Sequence, residues 1–394
     1  MDKKAGGGAY HSGTYPNCFE YFGYRKEDID ERIEKIFDTL FYGAEDDRIY
    51  HESGDMGYIL DTGNMDARTE GMSYGMMMCV QTDHREEFNR IWKWARTYMY
   101  HEDGTYKGFF GWSNRPDGKR NFDGPAPDGE EYFAMALLFA SHRWGDGEGI
   151  FNYSREACDI LHDMIRDESI ECVRGMFDPG NHLIRFIPEV DFTDPSYHLP
   201  HFYKLFSKWA YPDDRSFFAE AAGASRDFLN IACHDVSGLC SEYSYYDGTP
   251  YEKGGDIWGK HDWYYSDAYR TIMNIALDHV WFDEDDRQIK EGERFLSYMC
   301  DNIGIDNWGR ILEWDGSIRQ EDVLHPIAVI ATNAAAAALV TDTASSSPSV
   351  ANGNARMCIE KFWSTPLRTG DRRYYDNCLY FFSFLLLSGN YRIW

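Results

Sequence analysis

Two kinds of helical segment alternate along this chain of 394 residues. One kind carries apolar residues along a single stripe, and the other is apolar on nearly every side. A helix with one apolar stripe lies at a surface, whereas a helix that is apolar all round has to be buried by its neighbours. Clusters rich in Gly, Pro and Asp separate the segments. The alternation therefore predicts an outer and an inner layer of helices.

Each kind of segment occurs six times along the chain. The striped segments are 25–41, 84–99, 152–167, 214–233, 286–302 and 353–364. The apolar segments are 69–80, 128–144, 197–210, 266–282, 322–341 and 372–388. Six inner helices enclosed by six outer helices predict an all-α fold, an (α/α)6 barrel, and residues 1–394 are expected to form this single domain.

An open stack of helix pairs would also alternate two kinds of helix. Such solenoids repeat their sequence from one pair to the next, and no repetition is visible here. The apolar segments would also be poorly covered in a one-sided stack. Strand-forming sequence is sparse and confined to loops such as 184–190, and 341–354 is typical of a polar loop rather than a domain linker. The closed barrel is therefore favoured.

The formal net charge of −27 excludes some classes of partner. A field of that sign repels nucleic acid and anionic membranes, so neither is expected to bind. The first residues lack the apolar core of a secretion signal, and no apolar run has the length of a membrane span. Nine cysteines without a CxxC pair are typical of reduced thiols in the cytoplasm. We therefore expect a cytoplasmic protein, with no obligate protein partner evident.

Acidic residues lie at the starts of four apolar segments, at Glu70, Asp128, Asp267 and Asp322. The inner helices of a closed ring all run in the same direction, so these four side chains would meet at one mouth. A structural role is the alternative, because Asp and Glu are favoured at any helix N-terminus. For Asp322 that structural role is preferred.

Glu70 and Asp267 differ from ordinary helix-capping acids in their apolar surroundings. Three consecutive Met residues follow Glu70 in its helix, and several Tyr residues flank Asp267. Burial raises the pKa of a carboxyl group, which can then act as a general acid near neutral pH. Two carboxyl groups in an aromatic cleft are what the hydrolysis of a glycosidic bond requires.

The aromatic content, 16% of the residues, also favours a sugar ligand. Flat rings exposed in a cleft pack well against the faces of sugar rings. The long loops before the inner helices carry five tryptophans that are expected to wall the mouth: Trp112, Trp258, Trp263, Trp308 and Trp314.

Two short stretches around these acids resemble glycoside hydrolase family 8, an inverting family whose fold is the (α/α)6 barrel. Residues 69–76, TEGMSYGM, are similar to the family's motif around the general acid, which implies that role for Glu70. Residues 266–270, SDAYR, resemble the segment that carries the catalytic base, which implies that role for Asp267.

A third stretch, 126–144, matches the family signature in its spacing. The resemblance implies that Asp128 holds the sugar at the cleavage point. The stretch departs from the usual pattern at Pro127, where the family has Ser or Thr, and at Glu130, where it has Asp. Neither change affects the key acid.

The resemblance also implies three binding residues outside the acids. Arg270, three residues after Asp267, is expected to orient its partner. Residues 200–206 resemble the segment with the family's cleft tyrosine, which points to Tyr203, and Trp112 looks like a stacking tryptophan.

Residues 324–326, Leu-His-Pro, are similar to a triplet that blocks one end of the cleft in the family members that release xylose from the reducing end of xylo-oligosaccharides. His325 would then contact the terminal sugar. A histidine hydrogen-bonded at a helix start is the alternative. The implied substrate is a β-1,4-xylo-oligosaccharide.

Other functions remain open from the sequence alone. An endo-acting xylanase, chitosanase or glucanase of the same family would share the acids. A sugar epimerase on a similar barrel, or a non-catalytic helical scaffold, would not need them. We expect no metal, because His198 and His201 have no carboxylate or Cys to complete a site, and no cofactor.

Overall fold

The computed structural model describes residues 7–166, 172–252, 261–341 and 350–394. Helices dominate these ranges, as the sequence predicts. The helices are α1 (Ala9–Ser12), α2 (Cys18–Tyr21), α3 (Lys26–Tyr42), α4 (Thr69–Thr82), α5 (Arg85–Tyr98), α6 (Pro127–Trp144), α7 (Tyr153–Met164), α8 (Pro200–Trp209), α9 (Arg215–Ala232), α10 (Ala268–Phe282), α11 (Arg287–Ser297), α12 (Pro326–Ala335), α13 (Ala337–Val340), α14 (Val350–Ser364) and α15 (Arg373–Leu387).

Each of the twelve segments with helical periodicity contains a helix, so the prediction of a mostly helical fold is confirmed. Two segments are less regular than expected. The segment 286–302 ends in a π-helical turn at Tyr298–Ile303, and 322–341 begins as a strand and then divides between α12 and α13.

The helices from the apolar segments contact one another in a closed series. In chain order α4 contacts α6, then α8, α10, α12 and α15 follow, and α15 contacts α4 again. Each also contacts a helix from a striped segment: α5, α7, α9, α11, α14 and α3 respectively. α15 is buried along its whole length, which requires neighbours on every side. The helices of this closed series form the centre of the core.

Among the described residues the strands are short and form three antiparallel sheets. They are β1 (Tyr50–Ser53), β2 (Met56–Ile59), β3 (Ala67–Arg68), β4 (Ser113–Asn114), β5 (Arg120–Phe122), β6 (Trp263–Tyr264), β7 (Arg310–Glu313) and β8 (Ile318–Asp322). The strand-forming sequence at 184–190 lies in a loop, where Ile184 forms an isolated bridge with Phe177. β3 runs directly into α4, and three residues separate β6 from α10 and β8 from α12, so these sheets lie at the N-terminal ends of inner helices.

Two further sequence expectations bear on the surroundings of the protein. All nine cysteines are free thiols, and eight of them are buried. Within the described ranges no helix combines the length and the apolar character needed to cross a membrane.

Candidate active site

A cavity of about 500 Å³ opens at the N-terminal ends of the inner helices. Glu70 is the second residue of α4, Asp128 is the second residue of α6, and Asp267 immediately precedes α10. All three side chains line the cavity, as expected from their places at helix starts. Asp322 does not join them. It ends β8, and its exposed carboxylate forms an ion pair of 2.7 Å with Arg310.

Arg270 connects the three acids. Its Nη1 atom lies 2.9 Å from Glu70 Oε2 and 2.9 Å from Asp128 Oδ2, and its Nη2 atom lies 3.1 Å from Asp267 Oδ1. The same Nη1 atom donates to the hydroxyl of Tyr74 at 2.7 Å. Arg270 is buried, so its charge acts on the carboxylates with little screening by water. One guanidinium therefore holds all three acids in one cluster, a wider role than the orienting of Asp267 expected from the sequence.

Glu70 is the acid whose protonation the site alters most clearly. Its second oxygen, Oε1, accepts a hydrogen bond of 2.6 Å from the hydroxyl of Tyr374. Burial raises the pKa of Glu70 to about 8, and the negative charges of Asp128 and Asp267 add to that rise, while Arg270 opposes it. Glu70 therefore carries a proton at neutral pH and has the property that a general acid needs.

Asp128 is fixed by contacts on both of its oxygens. Oδ2 accepts from Arg270, and Oδ1 accepts from the backbone N–H of Gly129 at 2.9 Å. Gly129 allows α6 to lie against the start of α4, because a Cβ atom there would lie 2.4 Å from the Cβ of Thr69. Burial raises the pKa of Asp128, and the positive charge of Arg270 opposes that rise. The close helix contact thus places Asp128 beside Glu70.

Asp267 is the most accessible of the three acids, with 23% of its side chain exposed. The hydroxyl of Tyr375 lies 3.3 Å from its Oδ1 atom and 3.1 Å from the carbonyl oxygen of Ser266. Ser266 has a positive φ of 48°, so the chain turns sharply just before Asp267. A partly exposed carboxylate next to a buried arginine is suited to bind and polarise a water molecule.

An aromatic platform lines another part of the cavity. The rings of Trp112 and Phe122 stack with centroids 4.9 Å apart and planes at 16°. The guanidinium of Arg68 lies 5.2 Å from the Trp112 ring. The Phe122 side chain is 55% exposed, which is unusual for a large aromatic residue. An exposed ring pair of this kind offers a flat surface to a sugar.

Three of the other four loop tryptophans lie away from the cavity. Trp308 is buried, and its indole donates to the carbonyl of Met299 at 3.0 Å. Trp314 donates to the carbonyl of Ala232 at 3.2 Å, and Trp263 packs against the guanidinium of Arg319. None of these three lines the cavity. Trp258 lies outside the described residues.

The cavity contains Tyr197 rather than the expected Tyr203. Tyr203 is fully buried within α8, where its hydroxyl oxygen lies within hydrogen-bond distance of the Glu131 carboxyl group and 3.0 Å from the carbonyl oxygen of Tyr197. Tyr197 lies on the 3-10 turn before α8, and its ring centroid is 5.5 Å from the guanidinium carbon of Arg270. Tyr203 does not reach the cavity because it lies one turn inside the helix and is covered by its neighbours. It supports the backbone of the residue that reaches the cavity.

Leu324 and His325 line the cavity at the start of α12. Leu324 is 43% exposed, so an apolar side chain projects there without cover. The Nδ1 atom of His325 lies 3.3 Å from Asp376 Oδ2, and its ring packs against Tyr375 at 4.9 Å. Tyr375 thus contacts both this histidine and Asp267.

Sequence reasoning missed Tyr374 and Tyr375, which contact Glu70 and Asp267 respectively. Both lie at the start of α15. This position is the available signal, because other inner helices also carry functional groups at their starts. His198 is one of the two histidines for which the sequence predicts no metal. Its two ring nitrogens each lie 2.9 Å from a hydroxyl group, one of Ser225 and one of Thr193. Burial lowers the pKa of His198 to about 3, so it is a neutral structural residue.

This chain is similar to known proteins over nearly its whole length. The chain is 50% identical over 392 residues to the reducing-end xylose-releasing exo-oligoxylanase Rex8A of Paenibacillus barcinonensis, with 99% of each chain covered. It is 48% identical over 394 residues to a reducing end xylose-releasing exo-oligoxylanase of Halalkalibacterium halodurans, covering 100% of this chain and 97% of that one. The solved structure of Rex8A from P. barcinonensis complexed with xylose is similar with a TM-score of 0.92 and 49% identity, over 98% of this chain and 99% of that one.

The family expected from the three motifs can be checked directly. Residues 51–386 match the family described as glycosyl hydrolases family 8. The match spans α4 to α15 and so includes each of the acids around Arg270. The chain therefore belongs to glycosyl hydrolases family 8.

Proposed function

We propose that this protein is an inverting glycoside hydrolase that releases xylose from the reducing end of β-1,4-xylo-oligosaccharides. The observation that carries the proposal is the cavity in which Arg270 holds Glu70, Asp128 and Asp267 together, with Leu324 and His325 at its edge. The two relatives that are about half identical over their full length have names with this activity. They support the choice of substrate.

The chemistry follows from the different environments of the acids. Glu70, whose pKa is raised to about 8, donates its proton to the oxygen of the bond that breaks. Asp267 removes a proton from a water molecule that attacks the anomeric carbon from the opposite face. Burial keeps the Tyr197 hydroxyl protonated by raising its pKa, so Tyr197 donates a hydrogen bond that holds this water. No covalent intermediate forms, and the anomeric configuration inverts.

Asp128 acts on the sugar at the cleavage point rather than on a proton. Its carboxylate is held by Arg270 and by the N–H of Gly129, and it accepts hydrogen bonds from the sugar hydroxyls. Contacts that tighten as the ring distorts stabilise the transition state more than the ground state. Trp112 and Phe122 supply the stacking surface for the sugars on the other side of the scissile bond.

The wall at Leu324 and His325 sets the exo action. A wall that leaves space for one sugar beyond the scissile bond releases one xylose per turnover. The exposed apolar side chain of Leu324 closes this space, and His325 contacts the terminal sugar.

The architecture that carries this site is proposed to be the (α/α)6 barrel. The closed series of contacts from α4 to α15 and back supports it, as does a striped helix packed against every inner helix. Residues 1–394 are proposed to form one catalytic domain. The cytoplasmic location stays a prediction, which fractionation of the producing cells would test.

The proposed activity is tested with xylotetraose that carries carbon-13 at the anomeric carbon of its reducing end. We expect the label to appear first in xylose, with unlabelled xylotriose as the second product. Label that appears first in xylobiose or xylotriose means an open cleft and an endo-acting enzyme. No hydrolysis, with a changed configuration at one carbon of a free sugar, means an epimerase. The double variant Leu324→Ala with His325→Ala should shift label from xylose towards xylobiose.

A further inference from the structure

Asp376 is a buried carboxylate behind the wall of the cavity. It lies in the first turn of α15 and has no exposed side-chain surface. Oδ1 accepts a hydrogen bond of 2.7 Å from the backbone N–H of Ala328, in the first turn of α12. Oδ2 contacts both the guanidinium of Arg368 and Nδ1 of His325, the latter at 3.3 Å. One carboxylate from α15 therefore ties together the start of α12 and the histidine that lines the cavity.

Arg368 extends the same network to the other half of the wall. Its Nη1 atom donates to the carbonyl oxygen of Leu324 at 2.6 Å as well as to Asp376. Its backbone is fixed by the buried side chain of Asn377, which accepts from the Arg368 N–H at 2.8 Å and donates to the Arg368 carbonyl at 2.9 Å. Leu324 and His325 are thus held from behind by two charged groups that do not line the cavity.

This arrangement determines which nitrogen of His325 carries the proton. A carboxylate bound to a guanidinium is ionised and only accepts hydrogen bonds. Nδ1 of His325 must therefore be the donor to Asp376. In a neutral imidazole with Nδ1 protonated, Nε2 is an acceptor. In that neutral form, the nitrogen left for a ligand accepts a hydrogen bond and cannot donate one.

We propose that Asp376 and Arg368 are positioning residues for recognition of the reducing end, acting by fixing Leu324 and by holding His325 with its proton on Nδ1. Nε2 of His325 then accepts a hydrogen bond from the anomeric hydroxyl of the terminal sugar. A sugar whose anomeric oxygen is methylated has no proton to donate and leaves the nitrogen unpaired. This inference rests on the proposed function.

Asp376→Asn is the most direct variant. The amide keeps an oxygen for the N–H of Ala328 but presents N–H donors to His325 and Arg368. His325 then has to accept at Nδ1 and carry its proton on Nε2. The matched control is Asp278→Asn, because Asp278 is equally buried and binds Arg226 through two contacts of 2.8 Å away from the cavity.

Two measurements test the inference. Nitrogen-15 NMR of protein labelled at histidine, with His325→Gln to assign the signal, reports which ring nitrogen is protonated. The ratio of kcat/KM for xylotriose to that for its methyl glycoside reports the preference for a free end. We expect Nδ1–H in the wild type and Nε2–H in Asp376→Asn. The ratio should fall about tenfold in Asp376→Asn, the worth of one hydrogen bond, and should not change in Asp278→Asn.

A proton on Nε2 in the wild type would overturn the proposal, as would equal ratios in Asp376→Asn and Asp278→Asn. If Asp376→Asn does not fold, the wild-type tautomer and the ratio in Arg368→Gln decide, and Arg368→Lys should recover part of the lost preference. The NMR result does not depend on turnover. Failure of the wild type to release labelled xylose from xylotetraose would contradict the proposed function and leave the tautomer measurement intact.

Discussion

Arg270 donates a hydrogen bond of 2.9 Å to Glu70, a residue 200 positions earlier in the chain. The bond joins the first turn of α10 to the first turn of α4 beside the cavity, and the same nitrogen binds Asp128. One buried positive charge thus faces three carboxyl groups. It is too little to keep all three ionised, because burial still raises the pKa of Glu70 to about 8. Glu70, the acid of the proposed mechanism, therefore keeps its proton near neutral pH in spite of the hydrogen bond from Arg270.

The pH dependence of activity follows from Glu70. Its pKa is raised to about 8, so the carboxyl is protonated below that pH and loses its proton as the pH rises through about 8. A general acid works in the protonated form. We therefore expect kcat/KM for xylotriose to fall about tenfold per pH unit on the alkaline side, since one proton is lost. A kcat/KM profile that stays level far above that pH would contradict the role of Glu70.

Tyr374→Phe tests which contact tunes that pKa. The Tyr374 hydroxyl donates to Glu70 and lowers its pKa by stabilising the ionised form. Without the hydroxyl, the alkaline limb of kcat/KM should move to higher pH. Tyr380→Phe is the control, because Tyr380 is on the same helix and its hydroxyl donates to the carbonyl of Thr365 at 3.0 Å. Equal shifts in both variants would mean that the effect is not local.

Glu70→Ala should lower kcat for xylotriose by about 10²-fold or more, the usual contribution of a general acid. A xylobiosyl fluoride should be much less affected, since fluoride leaves without full protonation. The surface variant Glu86→Ala, in which 73% of the side chain is exposed, should change neither rate. A Glu70→Ala enzyme with equal losses on both substrates would point to a structural defect instead.

The helices and the acids at their starts were accessible from the sequence because their signals are local. Periodicity indicates a helix, and an acid at the start of a buried helix indicates the end of that helix that faces the active site. The fifth inner segment, predicted over 322–341, includes Asp322 of β8, because the polar residues of β8 do not alternate in a way that marks a strand. Its burial pattern is exposed almost throughout.

Contacts between distant segments could not be read in this way. Tyr374 is 304 positions from Glu70, and nothing in its own segment marks it as a partner. Tyr197 and Tyr203 lie close together in the chain, and the choice between them depends on where α8 begins. With α8 beginning at Pro200, Tyr203 is inside the helix and Tyr197 is on the turn that faces the cavity.

The stereochemistry of the product tests the role of Asp267. An inverting enzyme needs space for a water molecule, so the carboxyl groups of Glu70 and Asp267 should be ~6.5–9.5 Å apart in a complex with substrate. Proton NMR during the first turnovers should show the α-anomer at the new reducing end formed from a β-linked oligomer. An early β-anomer would mean retention, and Asp267 would then have to be a nucleophile.

Gly71→Ala probes the contact that places Tyr374 against Glu70. A Cβ atom at Gly71 would lie 2.8 Å from the Cε2 and Oη atoms of Tyr374, so the ring has to move away. Alanine favours a helix over glycine by about 1 kcal/mol, but overpacking of a buried site costs about 1–3 kcal/mol. We therefore expect a lower free energy of unfolding, together with the alkaline shift of kcat/KM expected for Tyr374→Phe.

Gly223→Ala is the matched control for this last change. Gly223 is exposed in α9, and a Cβ atom there would meet nothing within 4 Å. The preference of alanine for a helix is then not offset by overpacking. The free energy of unfolding should therefore rise by about 1 kcal/mol, and the pH profile of kcat/KM should not change. If Gly71→Ala kept the wild-type profile, the hydroxyl of Tyr374 would not depend on this close approach. The alkaline limb would then have to be set by burial of Glu70 and its charged neighbours alone.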